Sequence, residues 1–265
     1  MRDLIEKVGI LEKKVSTLLE QGEKQASINL IQEMSEILSS TLFHLQKETD
    51  KKILSFINDR LDAIKNIETP IPLLPGGKVV VHLIPIQAFE DESNLDISTF
   101  RDKAHQLPQL CQSGYDYRFN YDGFITYNRS NHRSSYVQVF RNGCMEIVDN
   151  GIINGSENLI NVIRFEEVMI HILPKYLKVL YECEIPGPFF VYTTFVGVKG
   201  HSLYHGTFFD TYQIDKDELR LPKILIEESN ADLALSLKPA FNVLWNSGGF
   251  PGSINYADGT WKPRN

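Results

Sequence analysis

Apolar residues recur along the first 66 positions at helical intervals. Leu4, Val8, Leu11, Val15 and Leu18 step 4, 3, 4, 3, the a/d stripe of a coiled coil, and Glu6, Lys7, Glu12, Lys13 and Lys14 fall on the faces between. Gln21-Gly22 is a break. A second helix is predicted over 23–46, with Ile31, Met34, Leu38, Leu42 and Leu45 on one side. Thr49-Asp50 supplies a cap for a third helix, whose Leu54, Ile57, Leu61 and Ile64 step 3, 4, 3. The first stripe is under three heptads, too short to stand alone as a dimer. Packing within the chain therefore competes with self-association, and Leu4, Val8, Leu11, Val15 and Leu18 are the candidate interaction residues.

The pattern changes between Glu68 and Phe89, where prolines and glycines separate helical sequence from aliphatic and β-branched runs. Lys78 to Ile84 predicts a buried strand in which only His82 is polar, and a lone histidine there is more often a core residue than a ligand. Phe100 to Cys111 predicts a short helix or irregular segment. Tyr115 to Tyr127 alternates at strand spacing around an Asp122-Gly123 turn, and Ser135 to Asp149 predicts a hairpin on Arg141-Asn142-Gly143. Phe165 to Glu182 has helical spacing, with Pro174 expected to kink or split it. A second hairpin is expected from Phe189–Val198 and Leu203–Phe209 around Lys199-Gly200, then a strand over Leu221–Glu227 and a helix over Leu233–Trp245.

Charge shifts the picture only in detail. Most of the net charge of -7 lies in the body: residues 1–66 carry ten Lys/Arg against eleven Asp/Glu, the rest 17 against 23. That balance argues against a protein that grips nucleic acid through a basic face. Cys111, Cys144 and Cys183, odd in number and widely spaced, fit free thiols in a reducing cytoplasm. The charged N-terminus lacks the apolar core of a signal peptide, and the apolar runs are strand-sized, so a cytoplasmic location with no membrane partner is expected.

No catalytic set emerges from the residues. His201 and His205 have helical ligand spacing, but flanking glycines and strand-like sequence do not converge two rings on one ion. Glu166-Glu167 and Glu227-Glu228 read as solvated pairs at element ends. The phosphate-binding and nucleophile-elbow patterns are missing, and Cys144 reads as packed rather than nucleophilic. The sequence accordingly assigns no catalytic, cofactor-binding or metal-ligating residue. Two contact regions remain: Tyr117 with Arg118, Arg129 and Arg133, where rings interleave with guanidinium groups as in single-strand nucleic-acid binders, and a ligand pocket near His82, Asp122 and Arg141. For the first, an aromatic-covered sheet edge is the favoured alternative.

Several stretches in order resemble the C-terminal region of bacterial schlafen-like proteins with an AlbA_2 (putative DNA-binding or ATP-binding) domain. They are Arg60 to Leu73 with its Glu-Thr-Pro turn, Lys78 to Phe89 with His82 and Pro85, Phe119 to Gly123, Tyr136 to Glu146, Leu221-Pro222 with Glu227-Glu228, Pro239 to Trp245, and Asp258-Gly259 with Trp261. In that family the AlbA_2 domain precedes this region, whereas a helical segment stands there in this chain. The resemblance therefore implies a body without the nucleic-acid role of that domain.

The combined expectation is an α+β protein: residues 1–66 as a helical hairpin or short coiled coil, and 67–265 as a mainly antiparallel body with two or three helices. The favoured function is a non-enzymatic interaction or regulatory module, an accessory subunit of a prokaryotic DNA-associated or defence assembly, meeting a protein partner or itself through its N-terminal helices. The alternatives are a nucleic-acid binder using residues 115–133 and a sensor or enzyme using the His82, Asp122 and Arg141 pocket.

Overall fold

The computed structural model describes residues 2–90, 95–111, 114–129, 134–154, 157–205, 212–228, 231–256 and 259–262, and of 2–9, 129 and 154 the backbone alone. The chain is α+β, with N-terminal helices followed by a mostly antiparallel sheet. It divides into two compact units, Met1–Ser55 and Phe56–Asn265.

The first unit is a helical hairpin. Helix α1 (Arg2–Glu20) ends at Gln21-Gly22, where Gly22 takes φ +77°, and α2 (Lys24–Lys65) begins just beyond. The predicted cap at Thr49-Asp50 does not stop α2, which runs without a break through both residues. No proline or glycine lies between Lys24 and Lys65 to interrupt the hydrogen-bond ladder. Within the hairpin, Leu11, Val15 and Leu18 of α1 are half-buried, as are Leu30, Met34, Ile37 and Leu38 of α2. The backbone at Leu4 and Val8 is helical.

The second unit starts with the last ten residues of α2 and is built on an eight-stranded sheet. Its strands are β1 (Lys78–Pro85), β2 (Asp116–Phe119), β3 (Gly123–Arg129), β4 (Ser134–Phe140), β5 (Met145–Asp149), β8 (Phe189–Val196), β10 (Glu218–Arg220) and β11 (Ile224–Ile226). The order is β10-β8-β1-β5-β4-β3-β2, with β11 also paired to β8. The expected β4–β5 hairpin is present, closed by Phe140 N–H donating to Cys144 O at 2.8 Å and by Gly143 at φ +81°. Phe100 to Cys111 holds only short 3-10 turns at Ile97–Phe100 and Ala104–Gln106.

The expected hairpin after β8 does not form. Gly197 and Gly200 both adopt positive φ, and β9 (Ser202–Tyr204) joins a second, three-stranded sheet with β6 (Ile153–Asn154) and β7 (Leu159–Asn161), lying parallel to β7. Residues 206–209 of the expected second arm lie outside the described residues. Helix α3 (Val162–Glu182), capped by Asn161 accepting from Arg164 N–H, runs through Pro174 as one element. Helix α4 (Leu233–Asn246) is capped by Asp232.

Strand alternation gives the large sheet two faces. Val79, Val81, Leu83, Val137, Val139, Met145, Ile147, Phe124, Val191 and Phe195 point to one, and together with Phe165, Met169, Leu173 and Leu177 of α3 and Phe241, Leu244 and Trp245 of α4 they make the main core. The opposite face carries Val80, His82, Ile84, Tyr136, Gln138, Glu146 and Val148. Over it lie Phe56 and Arg60, while Ile57, Leu61 and Ile64 of the same turns are buried.

Candidate functional site

Glu146 sits on β5 directly across from His82 on β1 and Gln138 on β4, on the face that residues 56–65 cover. It is wholly buried, and its four acceptor positions are filled. Oε1 accepts from Arg60 Nη2 at 2.9 Å and from Tyr136 Oη at 2.7 Å; Oε2 accepts from Arg60 Nε at 3.0 Å and His82 Nε2 at 3.1 Å. A carboxylate can only accept, so the His82 proton sits on Nε2. Its Nδ1 is buried with no partner among the described residues. Burial alone would raise the Glu146 pKa, but the hydrogen bonds from His82 and Arg60 and the Arg60 charge outweigh it and hold the carboxyl at about 2, while the same pairing raises Arg60. Aromatic rings close the network: the Arg60 guanidinium lies 5.3 Å from the Phe140 centroid, and Phe56 meets His82 and Phe140 edge-on. A carboxylate so completely occupied and sealed from solvent clamps α2 to the sheet and has no lone pair left for a substrate.

A second buried carboxylate corrects the expectation of a solvated pair. Glu166, in the first turns of α3, is fully buried. Oε1 accepts from Trp245 Nε1 at 2.7 Å, and Oε2 accepts from Asn255 Nδ2 at 2.7 Å and Trp261 Nε1 at 2.9 Å. Three donors from α4 and the following tail thus converge on one acid. Glu167 stays partly exposed and pairs with Arg164, and Glu227 and Glu228 are exposed as expected.

The sequence-predicted contact residues are scattered. Asp122 and Arg141 come together: Arg141 N–H donates to Asp122 O at 3.0 Å, Arg141 Nε donates to Tyr121 O at 3.0 Å, and both residues line an open recess of about 520 Å³ with Phe56, Tyr121, Phe140 and Asn142. His82 does not line it and touches the recess only through Phe56. On the edge strand β2, Tyr117 and Phe119 lean on buried Phe124 with centroids 5.8 and 5.3 Å apart, each keeping over a third of its surface exposed. Arg118 points to the other face, where it donates to Pro70 O and stands 5.9 Å from the Tyr127 ring. Arg118 therefore shares a surface with Tyr127 and not with Tyr117 and Phe119. Arg129 ends β3, and Arg133 lies outside the described residues. Cys144 is buried, which pushes its thiol well above its ordinary value, and no group of three or more His, Cys, Asp or Glu positioned to hold a metal occurs among the described residues.

A group of exposed apolar side chains lies on the hairpin. Ile28, Ile31, Leu42 and Phe43 are each about half or more exposed, at 49%, 51%, 62% and 65%, and Leu45 is 37% exposed. Between α1 and α2 lies an open groove of about 620 Å³ lined by Val15, Ile31, Met34, Leu38 and Leu42 among others. Of the α1 stripe expected from the sequence, Leu11, Val15 and Leu18 are half-buried and the side chains of Leu4 and Val8 lie outside the described residues, while Ile10 and Leu19 of α1 are exposed in addition to the residues of α2.

No protein-family model matches the chain, and no curated protein matches its sequence, so the schlafen-like resemblance rests on its own residues alone. No described helix is long and apolar enough to cross a membrane.

Proposed function

We propose that this protein is a non-enzymatic interaction module, in which the helical hairpin docks onto a protein and the α+β body is the cargo it delivers or positions. The observation that carries this reading is the set of exposed apolar side chains Ile28, Ile31, Leu42 and Leu45 along one side of α2, with Phe43 exposed on an adjacent side, because soluble monomers rarely leave a large apolar patch in water. The body supports it from the other side: its buried acids Glu146 and Glu166 are held by four and three donors respectively, an arrangement suited to rigidity rather than turnover. The ordered motifs shared with schlafen-like C-terminal regions fit an accessory subunit of a DNA-associated or defence assembly.

A photo-reactive amino acid placed at Leu42, and separately at Leu225 on the exposed side of β11, tests the reading in the host cell. The expected result is a discrete protein adduct from position 42, identified by mass spectrometry, and none from position 225. A chain that gives no adduct at position 42 overturns the docking role of the hairpin.

A further inference from the structure

The exposed stripe has a register of its own. Ile28, Ile31, Ser35, Leu38, Leu42 and Leu45 step 3, 4, 3, 4, 3 and so form an a/d seam along the open groove beside Val15, one position over from Ser27, Leu30, Met34, Ile37 and Thr41, which are buried or half-buried within the hairpin. A helix with two adjacent seams has one for its partner within the hairpin and one left over. Such a helix belongs in a bundle of more than two.

Run antiparallel against its own copy, the outer seam matches itself. Ile28 then faces Leu45, Ile31 faces Leu42, and Ser35 faces Leu38, each a position opposite a d position and small opposite large at the centre. This is the self-complementarity that a two-fold interface demands, in which each residue of one copy meets its counterpart's partner in the other. The flanking positions fit a like partner too. Ser27, Gln32, Ser39, Thr41 and Gln46 are uncharged, so two copies bring no like charges together along most of the seam. From Ile28 to Leu45 the seam is roughly 26 Å long. A lone two-helix hairpin is marginal in water, which adds a reason for this unit to pair.

We propose that the hairpin binds a second copy of this chain, pairing α2 with α2 antiparallel about a point between Glu36 and Ile37 to make a four-helix bundle. The proposal rests on the docking role given to the hairpin and names its partner.

Sedimentation velocity of the full chain, from about 1 to 100 µM, reads the outcome. The wild type is expected at twice the 30.3 kDa chain mass. Ile31→Glu with Leu42→Glu sets glutamates against each other across the seam and is expected to give the monomer, with helix content retained by circular dichroism. Ile31→Lys with Leu42→Glu restores opposite charges in the antiparallel register alone and is expected to recover the dimer at least tenfold over the double glutamate. A wild-type monomer throughout, a dimer indifferent to the double glutamate, or no recovery with the charge swap would each overturn the proposal. The photo-adduct at position 42 separates the two readings: an adduct to a different protein from a monomeric chain keeps the docking role and removes self-pairing, and no adduct removes both.

Discussion

At the scale of single residues the informative positions are charges that stand where the pattern wants apolar side chains. Arg60 falls three after Ile57 and four before Ile64, on the buried stripe of α2, and Glu146 stands between Met145 and Ile147 in a strand buried along its whole length. Neither charge was singled out from the sequence or joined there to the other, and their partners His82 and Tyr136 were beyond its reach, because strand register decides who meets whom. The Glu146 carboxyl is held at about 2 against an ordinary 4.5, so its contribution to stability is present above the unfolded value and is lost as pH falls from about 5 towards 2. Full loss amounts to roughly 3 kcal/mol. Glu146→Gln keeps the shape, leaves the Arg60 charge without its counter-ion, and is expected to cost about 3–5 kcal/mol at neutral pH. Urea titrations at pH 7, 5, 4 and 3 check both points, with the gap between wild type and variant closing on the acid side. A gap that stays constant would show that the carboxylate is not held ionised by its partners.

At the scale of elements, patterns with one dominant signal translated directly. The β4–β5 hairpin rests on Asn142-Gly143, and α3 and α4 follow their apolar periodicity, because each is fixed by local backbone chemistry and one buried face. Elements whose partners are distant in sequence did not translate. Nothing between Val198 and Ser202 announces that β9 will lie parallel to β7, some forty positions earlier, instead of folding back on β8. Glu166 was misread for the same reason: a helix N-terminus favours an acid, but its burial comes from Trp245, Asn255 and Trp261, which arrive from the other end of the chain. All three are donors, and each is needed to keep a buried carboxylate satisfied. Trp261→Phe removes one of them and is expected to lower stability by about 1–3 kcal/mol. Limited proteolysis of the variant should then clip the tail after Asn246 faster than in the wild type. Unchanged cleavage with unchanged stability would mean that water replaces the indole without loss.

At the scale of the whole chain, the boundary between units is not where the composition changes. Proline and glycine after Glu68 suggest a division near residue 66, whereas the structure divides inside α2, between Ser55 and Phe56. The reason is the second face of the sheet. Without Phe56, Ile57, Arg60, Leu61 and Ile64 that face would expose Val80, Ile84 and Val148 and strand Glu146 without its guanidinium, so the last turns of the helix belong to the body although their periodicity is continuous with the hairpin. The two boundaries make opposite forecasts. A chain of residues 56–265 is expected to be soluble and to unfold in one cooperative transition, as a unit with its own core does. A chain of residues 67–265 is expected to aggregate or to bind a hydrophobic dye such as ANS, because it leaves an apolar sheet face and an unpaired buried acid in water. Adding back residues 56–66 as a separate peptide should restore cooperativity to the shorter chain, and Arg60→Ala in that peptide should weaken the rescue. If both chains melted alike, the clamp between Arg60 and Glu146 would be an ornament of the hairpin and not the closing element of the body.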